Sequence, residues 1–461
     1  MTAEVRCLGA SGQLGYGIPP AAFDQGIATA PDVIAADMGS IDPGMAALGS
    51  GVPMAPQLGR RSDLEMLLTA GVGRGIPVII GSAGTAGGDA NVDDTVALVR
   101  EIAAERGLRF RLATVRAELS VEIVDRALDA GRVRAFRPDM PLTAARLRQT
   151  AHVVAQMGVE PLVAALRAGA DVVIAGRASD AAVFAAYPVA QGFDMGLAMH
   201  MGKLLECASQ CAVPAGRDAI MGYIGDDSFV VESMNPTRAC VPFSVAAQSV
   251  YEQPRSDWVE EPGGAIDLRE AVYEAVDARR TRVRGSRWRP SNPYTVKLEG
   301  AALAGYRSFA LGGVRDPILI PQLGEVTRAV ARVVEDALAR VVDRRSYELR
   351  FHVYGQDAVL GPLETVRTAT HEVLVLIDAV GQSAEIAHAV CGAAKQYLLH
   401  APYEGIRGTG GNLAIPFSPE IQDAGPVYEL SVYHLMEVDD PAALFPVELN
   451  EVGGGPPGAL P

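Results

Sequence analysis

Five short apolar runs in the first 180 residues each stop abruptly in glycine or polar residues. That repeated grammar restricts the chain to few folds. The plainest case is Ile76–Asp89, IPVIIGSAGTAGGD, in which Pro77–Ile80 gives way to Gly81, Gly84, Gly87 and Gly88 and closes on Asp89. Val5–Leu8 runs into GASGQLGYG, Asp32–Ala36 into DMGSID, Phe110–Val115 into RAEL and Asp171–Ala175 into GRASD. An apolar run this short, bounded by glycine, reads as a strand buried on both faces. Helical periodicity fills the gaps at Leu64–Ala70, Asp93–Glu105, Val121–Ala130 and Ala144–Gly169, the last with Thr143 as N-cap. Alternation of this kind predicts an α/β fold, with a doubly wound, largely parallel sheet over residues 1–215. The strand ends of such a sheet share one edge, where ligands bind.

The texture then changes. Strands Ala219–Ile224, Phe229–Ser233, Thr281–Arg284 and Tyr294–Leu298, with helices Ala265–Ala275 and Glu325–Val342, predict a second α/β or α+β region over 216–345. This region is either a separate lobe or an extension of the first sheet. Residues 346–440 read as a small α+β unit: strands Ser346–Tyr354 and Glu372–Ala379, helix Ser383–Leu399 and strand Val427–Val438. A second glycine-rich loop, Gly405–Asn412, precedes the last strand. Residues 441–461 are expected to form a disordered tail.

A net charge of −15 without basic blocks argues against a nucleic-acid partner. Five cysteines with no CxxC pair are expected to be buried, reduced thiols in a cytoplasmic protein. No signal segment and no membrane span is expected. Lysine occurs only at Lys203, Lys297 and Lys395, among 40 basic residues.

Several strand ends carry chemistry. The backbone of Gly84, Thr85, Gly87 and Gly88, with Asp89 and Asn91 behind, can cradle an oxyanion or phosphate beside an acid or base. Close packing of strand on helix explains the same glycines. Arg177 can fork onto a substrate carboxylate, and Asp180 either joins it or caps the next helix. Glu118 is a candidate base, or a surface acid paired to arginine. On a predicted helix over Gly192–Ala212, the residues His200, Lys203, Glu206, Cys207 and Gln210 share one face, either a cleft wall or a solvated stripe. A lone histidine such as His200 is more often structural. Asp37, Asp42, Asp89 and Asp180 together could hold Mg²⁺. Gly9–Gly15, GASGQLG, has dinucleotide-like spacing and includes Ser11, a candidate substrate contact. However, Pro19 and Pro20 follow too closely for the required helix, and no YxxxK pair exists.

GADVVIAGRASDAAVF, followed by MGKLLECASQ, resembles the acyclic terpene utilisation family, AtuA, as do VEEPGGAIDLREAVYEAVDARRTRVRGSRW, TVKLEGA and GYRSFALGGVRDP. The resemblance runs from about residue 4 to about 440. It implies proximity to acyl-CoA or small-carboxylate catabolism, with Arg177 and Asp180 at the family's GR-x-x-D positions and Glu206 and Cys207 at its E-C positions. ADMGSIDPG departs from the family's expected acidic opening and points to a distinct subfamily. The expected function is acid–base catalysis on a carboxylate or acyl-CoA, as a hydratase, dehydratase or isomerase. Arg177 would anchor the substrate, the Gly84–Gly88 amides would hold an oxyanion, and Asp89, Glu206, Lys203 and Glu118 would serve proton transfer. No redox cofactor is expected, and a homo-oligomer is. A non-catalytic acyl-CoA-binding or partner subunit, and an NAD(P)-dependent oxidoreductase, are the alternatives.

Overall fold

A computed structural model describes residues 4–453 apart from positions 138, 367, 369 and 409. The chain divides into one unit of Met1–Ala302 with Leu430–Pro461 and a second of Leu303–Glu429. This differs from the expected boundaries at 215, 345 and 440.

The first unit is built on a ten-stranded sheet. Its strands are β1 (Val5–Gly9), β2 (Val33–Asp37), β3 (Val78–Gly81), β4 (Phe110–Val115), β5 (Val172–Ala175), β6 (Ile220–Ile224), β7 (Ser228–Ser233), β8 (Val272–Ala275), β9 (Arg280–Arg284) and β10 (Val447–Val452). Their spatial order is β8-β9-β7-β6-β1-β2-β3-β5-β4-β10. The five strands expected from the sequence form its parallel centre. The flanks are antiparallel, so the sheet is mixed rather than largely parallel. The 216–345 segment supplies β6 to β9, and thus extends the first sheet. Short connections join β6 to β7 and β8 to β9, and short connections favour antiparallel neighbours.

Alternate residues of the central strands enter two different cores. Leu8, Ile34, Ile80 and Ile174 pack with Phe23, Leu64, Leu68 and Ile102, which lie on helices α1 (Pro20–Ala28), α2 (Gln57–Val72) and α3 (Asp89–Arg106). Cys7, Ala35, Ile79 and Val173 pack with Leu162, Phe184 and Leu204, on α4 (Glu160–Arg167), α5 (Asp180–Ala190) and α6 (Met195–Leu205). Period-two alternation between two helical layers is why these runs are apolar throughout.

Four expectations fail locally. Ala144–Gly169 is not one helix. Thr143 caps a short one at Ala144–Arg148, then Thr150–Gln156 forms a strand before α4. Pairing with Lys297–Ala302 overrides the helical pattern there. Ala265–Ala275 is likewise two strand segments, Gly264–Asp267 and Val272–Ala275. The predicted Gly192–Ala212 helix ends at Leu205, and Ala208 takes a left-handed φ of 53° before a 3-10 turn. The expected tail contributes a helical turn, Pro441–Leu444, and β10, which covers the edge of β4. Residues 454–461 lie outside the described residues.

In the second unit, Tyr306–Val314, Tyr347–Tyr354 and Val373–Gly381 form an antiparallel sheet. Helices Leu323–Leu338 and Ala384–Leu399 pack on it through Val330, Val390 and Leu398. The Gly405–Asn412 loop belongs to this unit, with Thr409 outside the described residues.

Gly202 shows how tightly α6 meets α5: a Cβ there would lie 2.2 Å from the Ala181 carbonyl oxygen. Gly202→Ala should cost about 1–3 kcal/mol as the helices are forced apart. A urea-denaturation midpoint equal to that of the unaltered chain would contradict this.

Candidate functional site

The exit loops of β3 and β5 touch backbone to backbone. A Cβ on Gly87, whose φ is +66°, would sit 2.1 Å from the Arg177 amide nitrogen. The Arg177 amide donates to the Gly87 carbonyl at 3.2 Å. Gly84 (φ +61°) leaves no room either, because a Cβ would meet Asn91 at 2.7 Å. The non-glycine residues Ser82 and Thr85 also take positive φ, 46° and 86°. For a β-branched threonine this is a strained backbone, of a kind that clusters at functional sites. The packing explanation of Gly84 and Gly87 therefore holds, and it serves to bring Arg177 into place.

Arg177 is 4% exposed. Its Nε donates to Glu299 Oε2 at 2.8 Å, and its Nη1 donates to Ser82 Oγ (3.2 Å), the Ala178 carbonyl (3.1 Å) and Asp180 Oδ1 (3.3 Å). The guanidinium is thus engaged by the protein's own groups, not held open for a substrate carboxylate as the sequence led us to expect. Glu299 is fully buried, and Lys297 Nζ lies 3.1 Å from its other oxygen. Burial opposes ionisation of Glu299, but Arg177 and Lys297 together hold it below the usual carboxylate range.

Four more carboxyl groups join this centre. Asp37, at the end of β2, accepts the Gly39 amide at 2.8 Å through Oδ2, and its buried Oδ1 has no partner. Burial, reinforced by Asp180, raises its pKa well above normal. Asp180 opens α5 and Ser179 caps it. The Asp180 carboxyl is surrounded by charged groups yet one-third exposed (34%). Burial raises its pKa against the pull of Arg177, Lys203 and Lys297. Glu261 accepts from the Ser179 hydroxyl, and burial raises it too. Glu206, at the end of α6, is bonded to Lys203 Nζ, and both are buried. Burial, with Asp180 and Glu261 adding to it, pushes Glu206 up to about 8 in spite of Lys203. Burial works against the Lys203 ammonium, but the Glu206 partnership raises it overall. Cys207 beside them is pushed up to about 12 by burial and then by Glu206.

Asp89 and Glu118 stand apart from these groups. The Asp89 amide, at the start of α3, donates to Glu118 Oε2 at 2.7 Å. Its half-exposed side chain pairs with Arg116 at 3.3 Å. Burial raises Asp89. Burial raises Glu118 as well, but hydrogen bonds from His152 and the Asp89 amide outweigh this and lower it overall. His152 Nδ1 lies 2.6 Å from Glu118 Oε1. His152 escapes a sequence reading that places it mid-helix. The alternation of His152, Val154 and Gln156 was the available strand signal.

Asn91 is buried, and its Nδ2 donates to the Ala47 carbonyl at 3.2 Å. Thr85 Oγ1 accepts the Met54 amide at 3.1 Å. Ser11 closes a local turn on Gln13. Gly12 nonetheless backs onto Cys207, so the β1 loop borders the centre. The amides of Gly15, Gly17 and Ile18 are filled by the Asp63 carboxylate at 2.7, 3.1 and 3.1 Å. His200 is fully buried between Ser286 and Ser249 hydroxyls, and burial pushes it down to about 3, so it is structural. Asp42 is exposed, and among the described residues no group of three or more His, Cys, Asp or Glu is arranged to hold a metal.

Fold and site define an α/β protein with a buried, proton-rich charge centre at the ends of its parallel strands. The profile of the acyclic terpene utilisation family protein AtuA matches residues 55–416. The chain belongs to that family, and membership implies a catabolic role. No curated protein and no solved structure matches it. No helix of the described residues is long and apolar enough to cross a membrane.

Glu206 gives a pH test. Its folded pKa of about 8 lies above the ordinary 4.5, so the native state keeps a proton that the unfolded chain has lost. Its stabilising contribution is full below the unfolded value and disappears as pH rises through the folded one. Glu206→Gln keeps the shape without the titration. Thermal melts from roughly pH 5 to 9 should therefore show the variant losing less stability than the unaltered chain. Parallel loss would refute the assignment.

Proposed function

We propose that the protein is a lyase of the hydratase–dehydratase kind, acting by acid–base chemistry on a small β-hydroxy carboxylate or its CoA thioester. The observation that carries this reading is Glu206, a buried carboxyl poised as an acid near neutral pH, bonded to Lys203 and coupled to the accessible Asp180. Carboxyl groups whose environments push their proton affinities apart are how one site supplies an acid and a base.

The charge count supports it. Five carboxyl groups (Asp37, Asp180, Glu206, Glu261, Glu299) face three cations (Arg177, Lys203, Lys297). Protons on Asp37 and Glu206, the two pushed furthest, leave three anions against three cations. Such a centre takes in the hydroxyl and carbonyl end of a substrate, while an anionic end points away from it. Lys297 is 21% exposed on its side chain and lies 5.7 Å from the Tyr433 ring centroid. Its ammonium retains donors beyond the Glu299 pair and can hold the carbonyl oxygen as charge develops there. Glu206 donates its proton to the departing hydroxyl, and Asp180 returns one from solvent. An isomerase using the same groups is the sibling reaction.

The test incubates the full chain in ²H₂O with a panel of short- and branched-chain 3-hydroxyacyl-CoA and enoyl-CoA thioesters and the corresponding free acids. Mass spectrometry then follows loss or gain of water and solvent deuterium at carbon. We expect turnover of at least one panel member, reduced about 10²–10⁴-fold by Glu206→Gln. Equal rates for the two proteins would remove Glu206 from the chemistry.

A further inference from the structure

An acid such as Glu206 needs a partner that removes a proton from carbon, and one dyad, on the sheet face that carries Glu299 and Lys297, is unused. His152 lies on the strand Thr150–Gln156, paired on one side with Glu118–Leu119 and on the other with Lys297–Ala302. Glu118 and Glu299 both stand opposite Val154, and Lys297 stands opposite Gln156. Opposite residues, and residues two apart on one strand, share a sheet face. His152, Glu118, Glu299 and Lys297 therefore project from the same face. His152 and Glu299 are diagonal neighbours, whose Cα atoms are ~7–8 Å apart in such ladders.

Both oxygens of Glu118 are committed, Oε1 to His152 Nδ1 at 2.6 Å and Oε2 to the Asp89 amide at 2.7 Å. The helix start fixes the carboxylate, and the carboxylate fixes the ring. With Nδ1–H donating to Glu118, the Nε2 lone pair is left over, and it makes no hydrogen bond among the described residues. The His152 side chain is 37% exposed, so substrate can reach it. Arg116, whose charge acts on Glu118, is paired with Asp89 at 3.3 Å and Asp93 at 2.8 Å. We propose that His152 is the second acid–base residue of this site, its Nε2 taking the carbon-bound proton while Glu118 acts as the positioning residue.

The inference rests on the lyase reading and specifies its substrate class: a carbon acid whose C–H lies between a carbonyl and a carbon bearing hydroxyl. Neutral His152 accepts the proton. The C–H electron pair becomes the new C=C bond, the C–O bond breaks, and the hydroxyl leaves as water with the proton from Glu206. Imidazolium and carboxylate remain, and they reset by passing one proton to solvent and taking one up. The hydrogen bond to Glu118 raises the imidazole above its ordinary value, with a further contribution from Asp89, which brings it closer to working pH.

The experiment compares the full chain with His152→Gln, His152→Asn and Glu118→Gln in the same ²H₂O panel, with melting curves alongside. Both His152 variants should lose solvent exchange at carbon about 10²-fold or more while keeping their fold. Glu118→Gln should retain part of the rate and move the acid limb of the kcat profile to lower pH, because the unpaired imidazole is a weaker base. A merely structural pair would not move that limb. Should His152→Gln and His152→Asn exchange normally while Glu206→Gln does not, His152 is overturned and the lyase reading stands. An unmoved acid limb in Glu118→Gln removes the positioning role. Absence of exchange across the panel in the unaltered chain overturns both readings together.

Discussion

The ion pair between Arg177 and Glu299 is the contact on which the rest of the site depends. It joins the exit loop of β5 to the strand that begins at Tyr294, and neither partner reaches solvent to any useful extent. A buried pair of this kind gives little net stability, because desolvation offsets most of the attraction. Removing one partner is a different matter, since a lone buried charge costs about 3–5 kcal/mol. The pair therefore specifies an arrangement more than it stabilises one. It holds the face carrying Lys297, Glu299 and His152 against the loops carrying Ser82, Asp180 and Asp37. The close approach of Gly87 and Gly176 is what admits the arginine, since a side chain at either position would strike the facing loop.

Once that frame is set, the electrostatics follow from counting. Each cation lies against an internal carboxyl group: Arg177 and Lys297 against Glu299, Lys203 against Glu206. The excess carboxyls cannot all ionise in a medium that screens poorly. Retained protons are the cheapest remedy, and the groups that retain them are acids at neutral pH. Asp37 and Glu206 differ in what surrounds them: Asp37 has an unpartnered oxygen deep in the protein, whereas Glu206 has an ammonium against it. A proton on Glu206 is therefore the more easily released, with Lys203 stabilising the carboxylate left behind.

The sequence showed the central strands well, because short apolar runs that stop in glycine and polar residues, alternating with helical periodicity, mark buried strands. It showed Arg177, Asp180, Lys203 and Glu206 as a group for the same reason: each follows or faces a strand end. It showed the flank strands β6, β7 and β9 but left open whether they extend the central sheet, and it missed β8, read as helix, and β10, read as tail. Nor did it show His152, because Thr150–Gln156 is long-range in its pairing, and Ala144–Gly169 is locally rich in helix formers. Glu261 and Glu299 were invisible for a related reason. Each lies more than 80 residues from the loop it meets, and only folding brings them to Ser179 and Arg177.

The choice of lysine at this centre is itself informative. Of 40 basic residues, three are lysine, and two of those, Lys203 and Lys297, lie in this one centre. Arginine could supply the charge equally well, and the chain uses it almost everywhere else. What arginine lacks is compactness. Its planar fork reaches for several acceptors at once, as Arg177 does for Glu299, Ser82, the Ala178 carbonyl and Asp180. An ammonium is a point charge with three rotatable donors, and it can grip one carboxylate while offering another hydrogen to a small oxygen beside it. Lysine at both positions is the choice expected where a charge must hold its internal partner and a reacting atom together.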